Sequence, residues 1–305
     1  MRVIKPVTFD AATHLVSSTA VETAAAWASG TTYSKDAVVD FGTFYWISLV
    51  NSNTGNQPDT SPTQWALVGP DNTHAMFDGQ VSTATTSTSP LTVVLDTGLC
   101  NSLALLGLVG SQVVVTIKDG TGGPTIYSRT VSLDGTFIYD WYQYFFEPNV
   151  QIGEVVLTDL PPYPNAELTV TLTGSGTIEI GQLIWGTQYD LGDAEYGASL
   201  GIIDYSRKET DEFGVTTFVR RDFSKRLSAR VLLQNTQINR VQRVLSDLRA
   251  EPAVWITAPD VPDLAPLTVY GFFRDFQIEV PYPRKSLCSL EIEGRPGCPP
   301  PARPA

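Results

Sequence analysis

The sequence predicts a mainly β fold that combines a small β module, a β-sandwich and a C-terminal α+β domain with one helix. Short segments rich in Val, Ile, Thr and Leu recur along the chain, and clusters of Gly, Pro, Asn and Asp separate them. One segment alone has a strong helical periodicity, which favours a sandwich or jelly roll over βαβ units. Of the 305 residues, 42% are apolar and 17% are charged, so the chain has ample surface to bury.

The order of these patterns predicts five parts along the chain. They are an N-terminal segment (1–22), a small aromatic module (23–70), a β-sandwich (71–198), an α+β domain (199–294) and a Pro-rich tail (295–305). The tail has five prolines in eleven residues, so we expect it to be a linker or docking segment without a fold of its own.

Aromatic residues are densest between residues 26 and 70. They include Trp27, Tyr33, Tyr45, Trp46 and Trp65. So short a segment has little core, and large rings must supply most of its buried area. The sequence Asp40-Phe-Gly-Thr43 predicts a hairpin turn with a positive φ at its glycine.

This order of residues resembles the chitin-binding modules of carbohydrate-binding families five and twelve. The shared pattern is a Trp, a Tyr, a Val-Val-turn-Gly hairpin, an Asn/Gly/Pro loop and a closing Trp. Where those modules carry a sugar-stacking aromatic pair, this chain has the aliphatic Leu49 and Val50. The resemblance therefore makes Trp46 the candidate for sugar stacking, followed by Tyr33 and Trp65. The alternative is that the large rings only form the module's core.

In the predicted sandwich, six segments have strand character and no strong helical pattern. They are Leu91–Leu95, Gln112–Ile117, Thr125–Leu133, Glu154–Thr158, Glu167–Leu172 and Thr177–Ile184.

Just after these segments, Asp190, Asp193 and Glu195 form an acidic cluster. These carboxylates are candidate Ca²⁺ ligands, or a pair of them could serve a glycosidase. The alternative is an exposed acidic loop, and no other metal or cofactor is predicted.

The C-terminal part predicts one helix on an antiparallel sheet. Residues Thr236–Ala250 place Ile238, Val241, Leu245 and Leu248 on one stripe, and Pro252 closes the segment. Strand-like runs surround it, at Gly214–Arg220, Leu227–Leu233, Ala253–Thr257, Leu267–Val280 and Ser286–Ile292.

Opposite charges crowd the first part of this domain. The basic members that we take as a candidate assembly interface are Arg207, Lys208, Arg220, Arg221 and Lys225. Such pairs can set register and partner choice at a subunit interface, and the alternative is a solvated hairpin.

Two aromatic runs, Tyr139–Phe146 and Tyr270–Phe273, are interpreted as core strands or as interface anchors, with core favoured.

The succession of segments also resembles an uncharacterised group of bacteriophage virion proteins. There a chitin-binding-like module precedes a β-sandwich similar to the galactose-binding jelly rolls. The segments that carry the resemblance are Val68–Asp78, Asn101–Leu108, Asp204–Gly214, Arg220–Lys225 and Tyr270–Asp275. The resemblance implies a place in the tail tip or baseplate of a virion, after synthesis in the host cytoplasm. It also implies contacts with other tail proteins, homo-oligomer formation and contact with host surface polysaccharide.

The net charge excludes some classes of function. The chain has 20 basic and 32 acidic residues, a formal charge of −12, and a nucleic-acid partner needs a basic face. Residues 1–200 hold 5 basic and 19 acidic residues (−14), whereas residues 201–305 hold 15 and 13 (+2). This break predicts an assembling C-terminal part, anchored by its helix stripe and charged hairpin, and an outward-facing acidic part.

The sequence also argues against catalysis and membrane insertion. It has no apolar run of 18 residues, no apolar signal core at its start, and no nucleophile-elbow, zinc or phosphate-loop motif. Its two histidines, His14 and His74, form no recognisable catalytic arrangement, and its three cysteines show no C-x-x-C pair. We therefore predict a structural protein without enzymatic activity. The alternatives are a polysaccharide-degrading tailspike-like enzyme and a secreted chitin-binding accessory protein.

Overall fold

The computed structural model describes residues 1–88, 90–136, 139–146, 150–210, 213–257 and 267–296. Strands in the first half are β1 (Arg2–Pro6), β2 (Leu15–Ser18), β3 (Thr32–Tyr33), β4 (Val38–Phe41), β5 (Phe44–Ser48), β6 (Asn53–Thr54), β7 (Trp65–Pro70), β8 (Thr85–Ser87), β9 (Leu91–Asp96), β10 (Ser102–Val109), β11 (Gln112–Asp119) and β12 (Thr125–Ser132). The mainly β class is confirmed, and each of the six predicted sandwich segments contains a strand.

The second half continues the pattern. Its strands are β13 (Glu154–Leu157), β14 (Ala166–Thr173), β15 (Ile178–Asp190), β16 (Asp193–Ala194), β17 (Ser199–Asp204), β18 (Arg207–Thr210), β19 (Thr216–Val219), β20 (Phe223–Gln234), β21 (Ala253–Ile256), β22 (Thr268–Glu279) and β23 (Lys285–Gly294). The helices are α1 (Ala11–His14), α2 (Trp141–Phe146) and α3 (Ile238–Asp247), and 3₁₀ turns cover Ala75–Phe77 and Asn235–Gln237. None of the described helices is long and apolar enough to cross a membrane.

One long antiparallel sheet crosses the boundary predicted at residue 198. Its strand order is β13-β10-β15-β1-β21-β22-β23-β20-β16, with β17 also on β20 and β8 also on β15. Strand β1 pairs with β15 on one side and with β21 on the other, so the first residues of the chain join the two halves of the sheet. Val3 and Ile4 of this strand are fully buried and face opposite sides.

The first half of the long sheet packs on a second sheet, in the order β12-β11-β14-β9-β2, and the two form a sandwich. Every second residue of β11 and β14 points inward, as a sheet with one solvated face requires. The core includes Val113, Val115, Leu168 and Val170. Cys100 is buried in the same core as a free thiol.

The second half of the long sheet carries α3 on one face. Val241, Leu245 and Leu248 pack against Leu227, Val231, Trp255 and Leu290 of the sheet. This confirms the predicted helix on an antiparallel sheet. It also corrects the expectation that the helix stripe is free to anchor the subunit, because these side chains are buried within the chain itself. Cys288 lies in this core, and burial raises the pKa of its thiol to about 11.

The two halves of the long sheet curl toward each other. Lys225 on β20 forms an ion pair with Glu154 on β13, the strand at the other end of the sheet. Between the halves lies a third apolar cluster, which includes Ile4, Leu106, Ile184, Val254 and Tyr270. The curl therefore turns one face of the sheet into a partly enclosed interior.

Candidate binding and assembly surfaces

The aromatic module is built on the three-stranded sheet β4-β5-β7, with the short pair β3-β6 beside it. Gly42 has a φ of 75° in the β4–β5 turn, as the sequence predicted. Trp65 lies in the module's core with 1% of its surface exposed, and its Nε1 donates to the Asn56 carbonyl oxygen at 2.9 Å. Its ring offers no face to a sugar, because a core this small needs it for burial.

The other two predicted sugar contacts are half-buried. The Tyr33 ring meets Trp65 edge to face at 5.3 Å, and its hydroxyl oxygen accepts from the Ala28 N–H at 2.8 Å. Trp46 pairs with the exposed Leu67 across the sheet. Its buried Nε1 has no hydrogen-bond partner among the described residues. Trp46 therefore keeps part of its ring exposed, but its indole N–H lies out of reach of a ligand on the surface.

A cluster of carboxylates that the sequence analysis missed lies where the module joins the sandwich. Glu22, Asp40 and Asp71 each bring an oxygen within 4.8 Å of the others. Glu22 accepts hydrogen bonds from the Tyr45 hydroxyl and from the backbone N–H groups of Asn72 (2.8 Å) and residue 73 (3.0 Å). This carboxylate therefore ties the segment before the module to the segment after it.

Asp71 is buried and holds His74, with Nδ1 of the ring 2.6 Å from the carboxylate oxygen Oδ1. Oδ1 of Asp40 is buried without a hydrogen-bond partner among the described residues. Burial raises the pKa of Asp40, and the neighbouring Asp71 and Glu22 raise it further. The one local hint in the sequence is that Asp40 and Tyr45 flank the hairpin turn as a cross-strand pair.

We expect Asp40→Asn to stabilise the protein at neutral pH. The pKa of Asp40 is raised above 3.8, so protonation of Asp40 stabilises the folded state. This stabilisation is fully present below pH 3.8 and is lost as the pH rises through the folded-state pKa. Asparagine removes the charge permanently. Thermal unfolding followed by circular dichroism should show Tm rise by about 2 °C at neutral pH, with no difference in acid.

The matched control is Asp59→Asn, which makes the same charge change at an exposed position of the module. It should leave Tm unchanged at both pH values. A stabilising effect of equal size from Asp59→Asn would assign the gain to overall charge instead of the cluster.

The predicted acidic Ca²⁺ ligands do not come together. Oδ1 of Asp190 accepts from the Gly192 N–H at 2.9 Å, a local turn contact. Asp193 lies on β16, and the backbone N–H of Glu195 donates to the Arg230 carbonyl oxygen at 2.8 Å. Among the described residues, Glu22, Asp40 and Asp71 are the group whose oxygens converge. Asp193 lies on β16 at the end of the long sheet, whereas Asp190 is held by its own turn contact.

The charged segment forms a projecting hairpin, which we call the arm (residues 205–222, of which 211 and 212 lie outside the described residues). Its strands β18 and β19 pair with each other alone in the described structure, and all eight of their residues are exposed. Arg207, Lys208, Arg220 and Arg221 lie on the arm. Lys225 does not, because it lies on β20 of the long sheet, where it pairs with Glu154 of β13.

Large apolar side chains are exposed on the arm and next to it. Phe218 is 74% exposed, and Phe213, Val215, Ile202 and Leu200 are exposed as well. An isolated two-stranded hairpin without a buried face is marginally stable in water. The arm thus exposes apolar side chains and has no buried strand residue of its own among the described residues.

The aromatic run at Tyr139–Phe146 is not a core strand. Residues 141–146 form α2, and Trp141, Tyr142, Phe145 and Phe146 are largely exposed on it. The rings pair one helical turn apart, with Trp141 stacked on Phe145 and Tyr142 tilted against Phe146. The second run meets the expectation in part, because Tyr270 is buried in the interior of the curled sheet whereas Phe272 is exposed.

Comparison with known proteins adds little. No protein-family model and no curated protein matches the chain. Among solved structures, an F5/8 type C domain of a Bacteroides fragilis protein matches 38% of this chain and 81% of its own, at 14% identity and a TM-score of 0.27. A similarity of this size indicates no function for this chain.

Proposed function

We propose that the protein is a non-enzymatic structural component of a bacteriophage tail tip or baseplate, and that copies of it assemble through the arm. The supporting observation is the arm itself, a hairpin whose strand residues are all exposed and which presents Phe213 and Phe218 to solvent. Large aromatic side chains are enriched at the centres of protein interfaces and rare on free surfaces.

The partner that this proposal assigns to the arm is a second copy of the chain. The arm carries four basic residues, Arg207, Lys208, Arg220 and Arg221, and four acidic residues, Glu209, Asp211, Glu212 and Asp222, so its net charge is zero. The first 200 residues of the same chain carry −14. The four basic side chains of the arm can pair with carboxylates on the acidic body of a neighbouring copy, and its apolar side chains add contact area. Such a head-to-tail contact closes into a ring when the rotation permits.

Helix α2 and the aromatic module would provide the other contacts of such a tail protein. The exposed rings of α2 would contact other tail proteins, because aromatic side chains supply large contact area at low entropy cost. The module would contact host polysaccharide through the partly exposed ring of Trp46, which can pack on the apolar face of a sugar.

The assembly proposal is tested by Phe213→Ser combined with Phe218→Ser, in the full chain. Light scattering coupled to size exclusion should show an oligomer for the unaltered protein. The double variant should be monomeric. The dissociation constant of the oligomer should rise by about 100-fold or more, because two interface anchors are lost. Circular dichroism should be unchanged, since neither ring is buried.

The matched control is Trp141→Ser, which removes an exposed aromatic side chain away from the arm. It should leave the oligomer intact. A monomeric unaltered protein, or a double variant that still assembles, would contradict self-assembly through the arm. Loss of the oligomer with Trp141→Ser alone would move the interface to α2.

A further inference from the structure

Two adjoining cavities lie on the interior side of the curled sheet, with volumes of about 590 and 330 Å³. Tyr270 of β22 and Arg295, the residue after β23, line both of them and form the wall that the cavities share. Both volumes fall in the range of small-molecule sites, which is about 300–1,000 Å³. The interior of a curved or closed sheet is a common place for such a site.

The larger cavity has mostly apolar walls. The side chains that form them are Val81, Ala84, Leu106, Leu108, Val109, Phe223 and Val269. A ligand in this cavity would therefore contact aliphatic and aromatic groups over most of its surface. Any polar group of the ligand would have to be placed at one of the few polar side chains of the lining.

Tyr270 offers one such polar group. The residue is 9% exposed, and its phenol hydroxyl has no hydrogen-bond partner among the described residues. Unlike the enclosed unpaired atoms elsewhere in the described chain, this oxygen keeps accessible surface. Burial raises the pKa of the Tyr270 phenol, so the hydroxyl stays protonated and can donate at neutral pH. Hydroxyls of buried residues are normally hydrogen-bonded, so a free one at a cavity wall indicates a bound molecule.

Arg295 brings a second donor to the same point. Gly79 has a φ of 78°, and a Cβ there would lie 3.1 Å from Nη1 of Arg295 and 3.6 Å from Oη of Tyr270. The two donors therefore converge beside Gly79. The guanidinium group is half-buried and donates to the Gly79 carbonyl oxygen, and it forms no other hydrogen bond among the described residues.

The positive charge of Arg295 is not neutralised by a contact with the acidic residues of the two cavities. Glu154 is already in an ion pair. The carboxylate of Asp78 accepts from the backbone N–H of residue 80 at 2.6 Å and from the Thr83 hydroxyl. Glu179, which also lines the larger cavity, forms no ion pair with the described residues. The planar guanidinium group is therefore left with free N–H groups, which match the geometry of a carboxylate.

We infer that the interior of the curled sheet binds an apolar molecule with one carboxylate, of the kind represented by a fatty acid. The Arg295 guanidinium and the Tyr270 hydroxyl would donate to the carboxylate oxygens. The apolar body of the ligand would lie along the walls of the larger cavity. This site lies apart from the arm and from the aromatic module, so the inference does not depend on the proposed assembly.

Isothermal titration calorimetry of the full chain tests the inference, with octanoate and octanol as probes. The two probes share an eight-carbon chain and differ in the charged group. Octanoate should bind with a dissociation constant of about 0.1 mM, and octanol should bind about tenfold more weakly, because it cannot form the charge-assisted hydrogen bonds. No binding of octanoate, or equal affinities for the two probes, would overturn the inference.

Two variants test the donors. Arg295→Gln should weaken octanoate binding by about tenfold or more and leave octanol binding unchanged. The matched control is Arg243→Gln, which makes the same charge change at an exposed position of α3 and should leave both affinities unaltered. Tyr270→Phe should weaken octanoate binding by about threefold to tenfold. It should leave Tm unchanged, because the hydroxyl has no partner within the described chain to lose.

A third variant, Ala84→Phe, places a large side chain at the wall of the larger cavity. It should weaken the binding of both probes, and circular dichroism checks that the fold is kept. Octanoate binding that survives both Arg295→Gln and Ala84→Phe would place the probe on an exposed apolar surface such as the arm and would contradict the inference.

Discussion

Gly186→Ala is expected to destabilise the protein by about 3 kcal/mol or more, through one added methyl group. Gly186 lies on β15, opposite Pro6 of β1 and opposite Ser102 of β10. A Cβ at this position would lie 1.9 Å from the Lys5 carbonyl oxygen. That atom belongs to the backbone, so relief requires β1 to move away from β15. Because β1 joins the two halves of the long sheet, the strain falls on the connection that holds them together.

Gly201→Ala is the matched control for this substitution. Gly201 is exposed on β17, and a Cβ there would meet nothing within 4 Å. Its free energy of unfolding should stay within about 0.5 kcal/mol of the unaltered value. Urea unfolding followed by tryptophan fluorescence measures both variants. Equal stability of Gly186→Ala and Gly201→Ala would contradict the close approach of β1 to β15.

The features that the sequence predicted are the local ones. Helix α3 follows from the spacing of Val241, Leu245 and Leu248, and the module's hairpin follows from the positive φ that Gly42 can adopt. Strand identity in the sandwich follows from alternation within each segment. Each of these signals is complete within a few residues, so no knowledge of the tertiary structure is needed to detect it.

The missed features depend on contacts between distant residues. The role of β1 rests on pairing with β15 and β21, which lie about 180 and 250 residues further along the chain. The carboxylate cluster joins Glu22, Asp40 and Asp71, and the cavity wall brings Gly79 to Arg295. None of these residues lies in a sequence pattern that indicates its contact with the distant residue. Composition likewise could not separate a core strand from an exposed helix in the run at Tyr139–Phe146, because both are rich in aromatic side chains.

Trp255→Ala is expected to be about as damaging as Gly186→Ala, at about 3–5 kcal/mol. Trp255 is fully buried on β21, beside Val3 of β1. Its Nε1 donates to the Gly271 carbonyl oxygen at 3.0 Å, and its ring meets Phe273 edge to face at 6.2 Å. Truncation would leave a cavity and would also leave that carbonyl oxygen without this donor. Tm should fall by about 10 °C in circular dichroism.

Trp141→Ala makes the same substitution at an exposed tryptophan and is the control for Trp255→Ala. Trp141 is 78% exposed on α2, so its removal should change the free energy of unfolding by less than about 0.5 kcal/mol. A tryptophan that costs nothing to remove contributes nothing to folding, and an exposed cluster of such rings is then better explained by contacts with other molecules. If Trp141→Ala destabilised the protein as much as Trp255→Ala, the rings of α2 would belong to the core and could not serve as a contact surface in the proposed tail assembly.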